Sequence, residues 1–283
     1  MKYPALRMAL RHRLSTGPTL VAPGAYDAFS ARAVERAGFD AVHAGSYSVA
    51  GALGLPDVGL LDLTELAEKI AEICTAVSIP VIADAENGFY SAAAMQRVVS
   101  AYERSGASAI HIEDHVSGKH TSLEKRVLPL GQAVERIRAA VDARDDHGFI
   151  IIARTDVTWA TGSVQGSLER ATAFLDAGAD AVMPVGLSLG QLHEIRSGIK
   201  GPVVIVNNGA DTFGAEAAAG ANVIIYHSLC LDAAARAVPE ALTRLKATQD
   251  IRAIRPFLAE HVEVDSYLGY EQYNNRLKQY RVQ

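Results

Sequence analysis

An α/β fold of the (β/α)8 TIM-barrel type, with an additional C-terminal helical segment, is what this sequence predicts. Three observations carry that expectation. Short apolar runs alternate with helix-length amphipathic stretches along most of the chain. Those runs are almost continuously hydrophobic, as strands of a parallel sheet buried on both faces must be. One phrase also recurs: "ERAGFDAVHAG", "ERSGASAIHIED", "LDAGADAVMPVG" and "AAAGANVIIYH" each read as a helix end, a glycine stop and a strand.

The elements follow in order. Strands are expected at 19–25, 41–46, 80–87, 109–114, 149–156, 181–186, 202–207 and 222–227. Helices are expected at 62–77, 91–105, 131–145, 163–177 and 229–247. Eight such strands point to a closed barrel rather than a doubly wound sheet, because no G-x-G-x-x-G follows the first strand. The first segment, "MKYPALRMALRHRLSTGPTLVAPGAY", lacks acidic residues and is basic and amphipathic. Organelle-targeting segments share that pattern, but a short helix capping one end of a barrel is the expectation here. Residues 1–249 are read as the barrel domain. Residues 250–283 are richer in aromatic and long polar side chains and are read as a helical appendage packing on a neighbouring subunit.

Composition narrows the function classes. Of 283 residues, 49% are hydrophobic and 21% charged, enough apolar mass for a large core. A net charge of -5 argues against a nucleic-acid partner. The absence of a long apolar run argues against a membrane one. Cys74 and Cys230 both sit in apolar, helix-like stretches without Cys/His spacing. They read as reduced thiols in a cytoplasmic protein rather than zinc ligands.

In a parallel barrel, chemistry gathers at the C-terminal strand ends. Those ends read Gly45-Ser46, Asp84-Ala85-Glu86, Glu113-Asp114 and Arg154-Thr155-Asp156, followed by Gly186, Asn207 and His227. Several carboxylates on one rim repel one another unless a cation sits among them. Asp84, Glu86 and Glu113 are therefore the expected metal set, with Arg154 beside them. Oxygen ligands suit Mg²⁺, or Mn²⁺. The competing reading is a ring of solvated carboxylates paired with nearby Lys and Arg. His43, His111 and His227 are read as structural. "GLPDVG" supplies Asp57 on a turn shaped by Gly and Pro.

"PGAYDAFSARAVERAGFDAVHAGSYSVAGALGLPD", "PVIADAENGF", "HIEDHVSGK" and "IIARTD", in that order, resemble the isocitrate lyase/phosphoenolpyruvate mutase superfamily over roughly residues 5–250. The resemblance implies a barrel enzyme, often a tetramer with helices swapped between paired subunits, here a dimer of dimers. It implies Mg²⁺ held directly by Asp84, with Glu86 and Glu113 in its shell. It further implies that Arg154 grips a substrate carboxylate or phosphonate, while Ser46 and the backbone at Gly45 hold a substrate oxygen. Asp57 and Tyr26 would line the pocket.

The loop after the fourth strand departs from part of that superfamily. Most superfamily lyases acting on isocitrate or 2-methylisocitrate carry a Lys-(Arg/Lys)-Cys-Gly-His signature there, with the Cys as acid/base. This chain has Lys119-His120-Thr121-Ser122-Leu123. That stretch is similar to the loops of phosphoenolpyruvate mutase and phosphonopyruvate hydrolase, whereas the neutral sixth-strand end "MPVG" is similar to the oxaloacetate decarboxylase branch. The expected activity is Mg²⁺-dependent cleavage or rearrangement of a C–C or C–P bond beta to a 2-oxo acid carbonyl, through a pyruvate enolate. Lys119 would stabilise negative charge, Thr121 and Ser122 would contact the leaving group or position water, and His120 would serve as acid or base. The alternatives are a cysteine-independent lyase for a 2-hydroxy di- or tricarboxylate and a non-catalytic binder of such acids.

Overall fold

The computed structural model describes residues 2–116, 119–207 and 209–280. All eight expected strands are present: β1 (Leu20–Pro23), β2 (Val42–Ala44), β3 (Val81–Asp84), β4 (Ala109–Glu113), β5 (Ile150–Thr155), β6 (Ala181–Pro184), β7 (Val204–Val206) and β8 (Val223–Tyr226). Each is shorter than its sequence reading by one to four residues.

Every pairing is parallel. β2 to β6 form one ladder in sequence order, and β1, β8 and β7 form a second. Single parallel bridges, Gly24 to His43 and Val182 to Val203, join the two ladders on both sides. Together they complete the (β/α)8 ring.

Helices separate the strands. They are α1 (Lys2–Thr16), α2 (Ala28–Arg36), α3 (Ser46–Ala52), α4 (Leu63–Ala76), α5 (Met95–Ser105), α6 (Leu130–Asp142), α7 (Val157–Thr161), α8 (Val164–Asp176), α9 (Leu189–Arg196) and α10 (Phe213–Ala218). Side-chain caps fix several starts. Asp62 accepts from the backbone N–H groups of Thr64 and Glu65 at 2.7 and 2.9 Å, and Glu65 returns the bond to Asp62, a capping box that opens α4.

The first helix caps the barrel floor as expected. Leu10 and Leu14 of α1 share one buried cluster with Leu20, Ile82, Ile150, Met183 and Ile225 from the strands. Arg7 is buried on the same helix and bonds the carbonyls of Ala107 and Glu103 and the carboxylate of Asp146 at 2.9, 2.6 and 2.8 Å. Its guanidinium thus anchors the helix to the loops at the N-terminal ends of β4 and β5.

The chain divides into two compact units, Met1–Leu229 and Cys230–Gln283. The second carries most of α11 (Leu229–Thr248), then α12 (His261–Leu268) and α13 (Tyr270–Tyr280). None of these three helices buries a residue. No helix among the described residues is long and apolar enough to cross a membrane.

Candidate active site

Asp84 ends β3 and organises the site through its own turn. Its Oδ1 accepts the backbone N–H of Glu86 at 2.8 Å, while Oδ2 accepts the hydroxyl of Ser46 at 2.9 Å and its backbone N–H at 3.3 Å. Glu86 consequently takes a left-handed backbone, with φ 49°. That is uncommon outside glycine and is tolerated where a site demands it. Burial would raise the Asp84 carboxyl, but His111, Lys119 and Arg154 outweigh it and hold it well below the usual range. Asp84 is ionised.

Glu113, at the end of β4, accepts from the Lys119 ammonium at 2.9 Å and lies 3.1 Å from the Arg154 guanidinium. Lys119 also reaches Glu86 at 3.3 Å and Asp57 at 3.9 Å. Arg154, on β5, makes a two-pronged pair with Asp156 at 2.9 and 3.1 Å. Five carboxylates (Asp57, Asp84, Glu86, Glu113 and Asp156) thus face two cations, Lys119 and Arg154. The imbalance shows at Glu86, whose carboxyl is pushed up to about 8 by burial and by the charge of Asp84.

Among the described residues, no three His, Cys, Asp or Glu side chains converge into a ready-made metal cage. The donor set still fits magnesium, which takes one or two carboxylates and keeps several waters. An excess of buried negative charge with one carboxyl near neutral pH is what an added cation relieves. Asp84, Glu86 and Glu113 all present carboxylate oxygens to the charged cluster around Lys119.

Two adjoining chambers meet at Lys119 and Asp57. The main one, about 360 Å³, has Gly45, Ser46, Asp84 and Arg154 on one arc and Met183, Val185 and Val206 on the other. The side chamber, about 250 Å³, is lined by Glu86, Glu113 and His115 among others. Tyr47, His120, Trp159 and His227 crowd the mouth of the main chamber, with ring centroids 5.6 to 6.0 Å apart in neighbouring pairs. The imidazole of His120 lies 3.3 Å from Asp57.

Not every expected residue reaches these chambers. Tyr26 sits at the turn before α2, where its backbone N–H donates to Ser30. Thr121 accepts from the backbone of Leu123, and Ser122 is exposed. Neither they nor Tyr26 line a chamber. Both donors of Ser46 are directed at Asp84. Gly118, just before the Lys119–Leu123 loop, and Asn208, just after the expected seventh strand, lie outside the described residues.

Other participants escaped the sequence reading. His43 and His111, expected to be structural, line the main chamber with stacked rings and Nε2 atoms 3.0 Å apart. Gly45 makes room for them, since a Cβ there would meet His43 Cε1 at 2.6 Å. The available signal was position: each histidine lies two residues before a polar strand end, Gly45 or Glu113.

A comparison with family models decides the lineage. The phosphoenolpyruvate phosphomutase family model matches residues 10–246. The chain belongs to that family. Its place in the phosphoenolpyruvate mutase/isocitrate lyase superfamily makes it an enzyme among lyases, mutases and hydrolases. It is 34% identical to 2,3-dimethylmalate lyase from Eubacterium barkeri, over 93% of each chain. The fold is similar to that of phosphoenolpyruvate phosphomutase from Streptomyces platensis subsp. rosaceus, with TM-score 0.92, 28% identity and coverage of 98% and 99%. It is also similar to phosphonopyruvate hydrolase in complex with oxalate and Mg²⁺, with TM-score 0.90, 28% identity and both chains fully covered. Superfamily members thus share this barrel while differing in reaction.

Proposed function

We propose that this enzyme cleaves the bond beta to the carbonyl of a small 2-oxo acid with Mg²⁺ bound, Mn²⁺ being able to substitute. Oxaloacetate is the simplest such acid. One observation carries the reading: the loop after β4 brings an ammonium, Lys119, into the carboxylate cluster, and no cysteine lines either chamber. Acid/base chemistry by a loop thiol is thereby set aside. Asp84, Glu86 and Glu113 would hold the cation, which polarises the acid's carbonyl and carboxylate when bound.

The residues of the chain supply the rest. Arg154 faces the substrate carboxylate, fixed there by its fork on Asp156. As the C3–C4 bond breaks, its electron pair moves into an enolate and CO₂ departs. Lys119 stabilises the developing charge, and the half-exposed His120, braced by Asp57, returns a proton to C3 to give pyruvate. A 2-hydroxy dicarboxylate is the second reading, supported by the 34% identity to 2,3-dimethylmalate lyase. The exposed apolar side chains of the second unit, including Val262, Tyr273 and Tyr280, support a homo-oligomer such as a dimer of dimers. Two cysteines, neither of them in a disulfide, support a cytoplasmic setting.

The test is direct incubation with oxaloacetate, phosphonopyruvate, 2-methylisocitrate and 2,3-dimethylmalate, with Mg²⁺ or with EDTA, following products by NMR. Oxaloacetate should turn over only with the metal. Turnover of a hydroxy acid but of neither oxo acid would overturn the reading.

A further inference from the structure

The main chamber is two-faced. Its β2–β5 arc is polar, whereas β6 and β7 contribute Met183, Val185 and Val206, and Trp159 of α7 closes that side. Lys119 and Arg154 are the cations of the lining, and both already face carboxylates. Beyond the reach of those two cations, the rest of a ligand meets the apolar arc.

The apolar wall is held in place. A Cβ on Gly186, which has φ 87°, would meet the backbone nitrogen of Trp159 at 2.8 Å. A side chain is thus excluded where the end of β6 packs under α7. The Trp159 ring lies 5.7 Å from that of His115 and 5.9 Å from that of His120, and the Lys125 ammonium sits 4.6 Å over its face. The chamber's volume of about 360 Å³ falls within the span of sites for ligands larger than a four-carbon acid.

We propose that Met183, Val185, Val206 and Trp159 form a subsite for an alkyl or aryl substituent on C3 of the substrate, which makes 3-alkylated oxaloacetates the preferred class. The inference rests on the reading of the site as one that cleaves 2-oxo acids. The bond broken is the same, and the product is the correspondingly longer 2-oxo acid.

Binding and turnover test this separately. Titration calorimetry of the full chain with Mg²⁺ would compare pyruvate, 2-oxobutanoate, 2-oxopentanoate and phenylpyruvate. Affinity should rise about fourfold per added methylene, and the rise should vanish in Val206→Asp. In steady-state assays, kcat/KM should be about tenfold higher for 3-ethyl-oxaloacetate than for oxaloacetate. A flat or falling binding series in the unmodified protein overturns the subsite, even if oxaloacetate is cleaved. A rising series with no oxo acid turned over supports the subsite and overturns the reading of the reaction.

Discussion

Glu113 and Asp114 are neighbours in the chain but serve opposite faces of the barrel. Glu113 turns toward Lys119 and Arg154, at 2.9 and 3.1 Å. Asp114 turns behind the strand, where it accepts from Thr155 at 2.7 Å, from the Asp156 backbone at 2.9 Å and from Arg170 at 2.9 Å. Strand alternation alone separates them. Asp114→Ala leaves Arg170 without its carboxylate, with the Leu128 carbonyl still bonded, and should cost about 3 kcal/mol in urea unfolding. Glu113→Gln keeps the shape and should leave the urea midpoint nearly in place while turnover collapses. Equal effects of the two substitutions on unfolding would refute this division.

Lys119 is the cation shared by Glu86, Glu113 and Asp57. Burial would lower its pKa, but Glu113 and Asp84 hold it well above the ordinary lysine value. It therefore remains charged across the working pH range. Lys119→Met should lower kcat about 10²–10³-fold, the scale for loss of one preorganised charge contact. Lys119→Arg should recover only part, because a fork does not replace a point charge. A kcat within threefold of the unmodified enzyme in Lys119→Met would remove Lys119 from the chemistry.

The barrel was legible because its strands are buried on both faces and read as unbroken apolar runs. Asp84, Glu86, Glu113 and Arg154 were legible because chemistry collects at strand ends. The His43–His111 pair was not. It joins β2 to β4 across the barrel interior, where alternate strands share a layer, and no local pattern encodes that contact. Met183, Val185 and Val206 were hidden for a different reason, since an apolar residue near a strand end looks like core until a cavity is seen beside it. Conversely, Tyr26 and Ser122 carried useful chemistry in sequence, but the backbone takes them away from both chambers.

The His43–His111 pair sets a pH limit on stability. Burial, then the neighbouring His111, holds His43 well below the ordinary histidine value. The unfolded chain therefore binds that proton first. The stabilisation is complete above about pH 6.5 and is lost as pH falls toward the folded value, by up to about 1.4 kcal/mol per pH unit. Urea unfolding between pH 7 and 5 should show a shallower slope in His43→Leu than in the unmodified protein, by about one proton. Identical slopes would place a charged histidine in the chamber instead.

Thiol chemistry should be dispensable here. Cys74 is buried on α4, and burial pushes its thiol up to about 12. Reaction requires the thiolate, which at pH 8 is then about one part in 10⁴. In a Cys230→Ser background, where Cys74 is the remaining thiol, iodoacetamide at pH 8 should leave the native protein unlabelled by mass spectrometry and fully active. Labelling should appear only once urea opens the core around Ile70 and Ile73, which share the buried face of α4 with Cys74. If native activity instead decayed in step with alkylation of Cys74, a sulfur would be acting at a distance from the carboxylate cluster. The assignment of charge stabilisation to Lys119 would then have to be abandoned.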